Sequence, residues 1–222
     1  MSGQRWLPHH RVDLALWPLR AAQAGSGIGP LLVLHELGGR TSGVPTVAAG
    51  WPGAIWGLDL CGHGASTVPR GGGYGPEVLV GDVDAALADL GPVTLLGFGL
   101  GGYVALLVAG ARAAQVRGVI VGDGLGLLGG AAVAGVAPPV GVPGAGTSGT
   151  PDPYALAELS VDVRPDEYAT AFAEAAVAGG AVEPAVVVAV TEPVGWVAAV
   201  LAVPGVVRSS VAAALEALAV PA

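Results

Sequence analysis

Short, nearly continuous apolar runs recur along the chain at 31–35 (LLVLH), 54–60 (AIWGLDL), 92–97 (PVTLLG), 116–122 (VRGVIVG), 185–190 (AVVVAV) and 201–207 (LAVPGVV). Runs of this length without alternation read as strands buried on both faces, which is how parallel strands look in sequence. The start of the chain differs. Over residues 11–18, Val12, Leu14 and Leu16 alternate with Asp13, Ala15 and Trp17. That period of two, with residues 4–7 before it and a turn at Pro8-His9-His10, predicts an antiparallel hairpin. Helical stretches lie between several of the runs, so the pattern predicts an eight-stranded, mostly parallel sheet with helices on both faces, an α/β architecture.

The helices are read from their faces and ends. In 77–90, Val80, Val83, Leu87 and Leu90 fall near one face, with Glu77, Asp82 and Asp89 elsewhere. Residues 101–115 follow a strand directly and are almost wholly apolar, as befits a helix packed deep against a sheet. Pro165 stands as a first helical residue ahead of DEYATAFAEAAVAG, with Gly179 and Gly180 as its stop, and a last helix runs from about 210 to 218 with Ser209 or Ser210 as cap. Residues 124–153 show no consistent period. They are read as a lid over a pocket or a loose connection, and 124–165 as a Gly/Pro-rich, cap-like insertion within a single domain spanning 1–222.

Composition narrows the function classes. Of 222 residues 53% are apolar, enough for one substantial core. Mean hydropathy is +0.68, yet the longest uncharged stretch, Gly124 to Pro151, holds nine glycines and four prolines, which no membrane-spanning helix of about 20 apolar residues tolerates. The first thirty residues lack the apolar core and small-residue cleavage site of a signal peptide, so a cytoplasmic address is expected. A lone Cys61 excludes an internal disulfide, and four histidines form no cluster at metal-ligand spacing, so no metal and no cofactor is expected. All nine basic residues are arginine, the formal charge is −8 and there is no basic stripe, which excludes nucleic acid as a partner. The absence of lysine beside abundant Ala, Gly and Val suggests a GC-rich, bacterial-like coding sequence.

Three segments carry the candidate chemistry, each at the end of a predicted strand. LLVLHELGG (31–39) ends a strand in a histidine-plus-glycine turn; DLCGHGAS (59–66) follows the next; LLGFGLGG (95–102) runs from strand straight into helix. In this order they resemble the α/β-hydrolase superfamily, with its esterase-, peroxidase- and iminopeptidase-like single-domain members, over nearly the whole chain. The resemblance implies that fold, with a reduced or absent cap. It assigns the N–H groups of Leu37 and Leu100 to an oxyanion hole, and an architectural role to His63. His35 is read as bonding the loop backbone, and Glu36 stands where the family usually has glycine. Cys61 occupies a position where relatives often carry arginine and is read as a quiet thiol.

The same resemblance exposes what is missing. The nucleophile position holds Gly99, and because the family's triad runs nucleophile, acid, histidine along the chain, its histidine must follow residue 99. The histidines are His9, His10, His35 and His63, all before it. The positions that relatives use for the acid offer Asp123 or Glu192, and the histidine position offers Arg208, which cannot act as a base near neutral pH.

The sequence therefore predicts a pseudo-hydrolase. Its pocket is expected to comprise His35, Glu36, Leu37, Gly99, Leu100, Asp123 and Arg208, with free oxyanion donors binding a small carbonyl-bearing or anionic ligand, or with the surface serving a protein partner. Two other classes stay open on the sequence. One is a serine-independent enzyme of lyase, cyclase or oxygenase type with Glu36, Asp123 or His35 as base, or an atypical esterase using Cys61 or a water held by Glu36. The other is a structural subunit, homo-oligomeric or otherwise, since a charged fraction of 12% is low for a fully solvated surface.

Overall fold

A computed structural model describes residues 3–69, 73–130 and 149–221. The eight expected strands all form: β1 (Arg5–His9), β2 (Val12–Arg20), β3 (Leu31–Leu34), β4 (Ile55–Leu58), β5 (Val93–Phe98), β6 (Val116–Gly122), β7 (Val186–Ala189) and β8 (Val206–Arg208). They make one sheet in the order β1-β2-β4-β3-β5-β6-β7-β8. β2 is antiparallel to both β1 and β4, and every other pairing is parallel. The hairpin reverses one residue later than the sequence predicts, at His10, whose φ is +53°.

Topology explains where a site can lie. From β3 the chain first steps to β4 on one side and then crosses to β5 on the other, so β3 and β5 are neighbours whose following loops diverge. A crevice opens at the carboxyl ends of strands at such a switch point, and both the 35–39 turn and the 97–102 segment lie there.

The helices are α1 (Pro76–Leu90), α2 (Leu100–Ala111), α3 (Pro153–Val161), α4 (Asp166–Gly179), α5 (Trp196–Leu201) and α6 (Val211–Leu218). Alternate strand residues face opposite layers. Leu32, Leu34, Leu95, Val119 and Val121 join the core with α1, α2, α4 and α5, while Leu31, Val33, Leu96 and Ile120 pack with Trp51 and with Ala214, Leu215 and Leu218 of α6. The last helix is capped as its sequence predicts, the Ser210 hydroxyl accepting from the Ala213 N–H at 3.2 Å.

Two expectations need correction, and the structure fills in a third. Leu201 ends helix α5 instead of opening a strand, so β8 starts only at Val206. Within the stretch read as a lid or cap, residues 131–148 lie outside the described residues, but 153–161 form helix α3, started by Asp152, which accepts from the Tyr154 N–H, and by Pro153. Asp82 belongs to the buried face of α1, not its polar one: its carboxylate accepts from the Cys61 N–H at 2.8 Å and meets His9 Nδ1 at 3.0 Å. That pairing fastens α1 to β1 and to the loop after β4, and it offsets part of the burial, which still raises the Asp82 carboxyl above its ordinary value.

Candidate functional site

The turn after β3 is held by its histidine. His35 Nε2 accepts from the Leu60 N–H at 3.1 Å, which leaves the ring proton on Nδ1, 2.8 Å from the Glu36 carbonyl that accepts it. Both nitrogens are thus committed to backbone, and the imidazole is structural. His63 lies beside it, ring centroids 5.0 Å apart, with Nδ1 3.1 Å from the Cys61 carbonyl oxygen. Burial, with the neighbouring His35, brings the His63 ring down to about 4, and burial lowers His35 as well.

These shifts make a stability prediction. Between the ordinary histidine value of 6.5 and about 4 the unfolded chain takes up a proton at His63 that the folded chain refuses. Its contribution is therefore complete above pH 6.5 and is lost as pH falls through that window, on the order of 3 kcal/mol. In a ring-proton NMR titration, His63 is expected to stay neutral at pH 5.5 and His35 to titrate below the ordinary histidine value; a His63 midpoint above 6 would contradict the buried pairing.

Between β5 and α2 the backbone keeps the geometry of a nucleophile elbow without a nucleophile. Gly99 has φ +55° and ψ −122°, a conformation that costs a side-chain-bearing residue roughly 1–3 kcal/mol. The flanking glycines serve packing: a Cβ at Gly101 would lie 2.5 Å from the His35 carbonyl oxygen, and one at Gly97 would overlap the Gly101 backbone.

The space a nucleophile would use is filled. A Cβ built at Gly99 would overlap the Leu125 carbonyl oxygen and lie 2.6 Å from the Gly124 carbonyl carbon. That same Leu125 oxygen accepts from the Leu37 N–H at 3.0 Å and the Leu100 N–H at 2.9 Å. Both oxyanion donors are therefore spent on the chain's own backbone, which corrects the expectation that they stand free. Glu36 completes the arrangement, its carboxylate accepting from the Leu125 N–H at 2.7 Å. The acid at the family's glycine position thus anchors a backbone plug.

Two buried residues that sequence reasoning missed pin the rest of the plug. The Arg164 guanidinium donates to the carbonyls of Gly126 and Leu127 and, at 3.3 Å, to that of Leu159; it also lies 4.7 Å over the Tyr103 ring. Burial lowers it to about 10, so it remains charged at neutral pH, next to Asp162. The Trp196 indole N–H donates to the Leu127 carbonyl at 2.9 Å, and the Gly130 N–H to that of Asp162 at 3.0 Å. From Leu125 to Gly130 the segment is anchored along its length.

Beside the plug lies a cleft of about 770 Å³, walled by Leu37, Leu125, Leu127, Leu128, Leu156 and Val190. Of the predicted site residues, Leu37, Asp123 and Glu192 line it, whereas His35 and Glu36 face a separate, smaller recess with Arg40 and Thr41, which Asp123 also borders. Asp123 accepts from the Thr191 N–H at 3.0 Å and hydroxyl at 2.6 Å, tying the loops after β6 and β7 together. Arg208 does not line the cleft; it donates to the carbonyls of Val190 (3.3 Å) and Thr191 (2.7 Å) at the end of β7. Cys61 is buried away from the cleft, its thiol pushed far up by burial and by Asp82, so it supplies no thiolate. Among the described residues no cluster of His, Cys, Asp and Glu could hold a metal, and no helix is long and apolar enough to cross a membrane.

The strand order, with the single reversed strand β2, is that of the α/β-hydrolase fold. No family model matches the chain, and no curated protein matches its sequence. Among solved structures the chain is similar to a proline iminopeptidase of Mycobacterium smegmatis, at 19% identity and TM-score 0.48 over 54% of this chain and 43% of that one. It is also similar to mouse alpha/beta hydrolase domain-containing protein 10, at 21% identity and TM-score 0.44 over 54% and 48%. The enol-lactonase of Burkholderia xenovorans gives 22% identity and TM-score 0.42 over 53% and 45%. In each case the matched part spans less than half of the other chain.

Proposed function

We propose that this protein is a non-hydrolytic member of the α/β-hydrolase fold that binds a small molecule in the cleft beside its plugged oxyanion hole. One observation carries the reading: the Leu125 carbonyl oxygen takes both oxyanion N–H groups while its backbone occupies the room of a side chain at position 99. Acyl transfer on this scaffold needs an attacking side chain, a base and donors aimed at the developing oxyanion. Here the first two are missing from the sequence and the third is already satisfied. The three groups that an altered chemistry would use as a base are also committed, His35 to Leu60 and Glu36, Glu36 to Leu125, and Asp123 to Thr191. What remains is a concave, largely apolar site of ligand size, about 300–1,000 Å³ being usual.

The test has two arms. A fluorophosphonate label and a panel of nitrophenyl esters are expected to give no labelled residue and no turnover above buffer; labelling or turnover that maps to the cleft would defeat the non-hydrolytic reading. Titration with the neutral fluorophore N-phenyl-1-naphthylamine is expected to saturate at one site and to fail when Leu156→Trp fills the cleft. Binding unaffected by that substitution would place the ligand elsewhere.

A further inference from the structure

We infer that the cleft selects an amphipathic cation, an apolar body carrying a protonated amine, over the anionic ligand that the sequence led us to expect. The inference rests on the binding reading above and adds the charge of the ligand. Two carboxylates, Asp123 and Glu192, belong to the lining of the cleft, which among the described residues contains no basic side chain. Arg40 borders the smaller recess that also touches Asp123, outside the lining of the cleft, and two further guanidinium groups are turned to other work. Arg208 lies outside the lining and bonds the carbonyls of Val190 and Thr191, while Arg164 bonds those of Gly126, Leu127 and Leu159 beside Asp162.

Three backbone donors at the plug are committed as well. The Leu37 and Leu100 N–H groups hold the Leu125 oxygen, and the Leu125 N–H holds Glu36. Two acids in a lining without a basic side chain among the described residues, and with both oxyanion donors taken, would repel a carboxylate and attract an amine. The leucine-rich walls take up the apolar body, so that both parts of such a ligand are complemented at once.

The probes are decylamine, decanol and decanoate, each below its micelle concentration, titrated calorimetrically into the full chain at pH 7. Their common alkyl chain cancels the apolar contribution. Decylamine is expected to bind at least tenfold tighter than decanol, with decanoate weakest. That preference should shrink in high salt and fall towards unity in the double variant Asp123→Asn, Glu192→Gln. These are near-isosteric changes, and Asn can still accept from Thr191, so the fold is expected to survive; circular dichroism and an unchanged decanol affinity check it. Equal affinity of amine and alcohol, or tightest binding of decanoate, would overturn the inference while leaving the cleft a binding site. Failure of all three to bind would take the binding reading down with it.

Discussion

Gly99→Ser is expected to restore no esterase activity and to destabilise the protein by more than the usual strain of an elbow. The φ of +55° alone costs a serine roughly 1–3 kcal/mol. In addition, the new Cβ would overlap the Leu125 carbonyl oxygen, so the 124–126 backbone must withdraw. Withdrawal breaks the bonds from Leu37 and Leu100 and strains the one to Glu36. Each costs on the order of 1 kcal/mol when its group is left buried and unpaired. The expected total is about 3–5 kcal/mol, read as a lower urea midpoint. Gly99→Ala should lose nearly as much, because the overlap is already made by Cβ and the hydroxyl adds little. A stable Gly99→Ser protein with wild-type midpoint, or one that hydrolyses nitrophenyl esters, would show that the plug yields readily and that the hole behind it is usable.

The sequence carried the fold because the features that make it are local. Buried strands announce themselves as unbroken Val, Leu and Ile runs, and the close approach of β5, α2 and the β3 turn requires glycine at 97 and 101 whatever the tip residue is. The glycine at position 99 and the placing of all four histidines before it were equally legible. The state of the oxyanion hole was not. Leu125 reaches Leu37 and Leu100 across large sequence separations, and a leucine carbonyl has no signature in sequence. Glu36 was noticed as an acid near the pocket, but only the structure pairs it with a backbone N–H. Asp82 misled because a carboxylate on an amphipathic helix reads as solvated, whereas the buried carboxylate here is partnered by Cys61 and His9, distant in sequence. Helix α3 had a usable sign, Asp152 followed by Pro153 as cap and first residue, hidden at the edge of a stretch dominated by glycine and proline.

Arg164 was invisible for the same reason, a single arginine between Val163 and Pro165, and its removal gives the second large effect expected. In the fold it is 4% exposed and serves the carbonyls of Gly126, Leu127 and Leu159. Arg164→Met keeps most of the volume and deletes every donor, leaving these acceptors and the neighbouring Asp162 uncompensated. Removing one partner from a buried charged network costs about 3–5 kcal/mol, so a urea midpoint well below that of the native chain is expected with little change in slope. The plug links this residue to the oxyanion hole, because Gly126 and Leu127 directly follow Leu125. Amide hydrogen exchange at Leu37 and Leu100, whose protons are held by the Leu125 oxygen, should therefore accelerate in Arg164→Met more than exchange within β5 or β6 does. If those two amides stay as protected as the strand centres in the variant, Arg164 stabilises the fold without holding the plug, and the Glu36 carboxylate with the two oxyanion donors suffices to keep the hole closed.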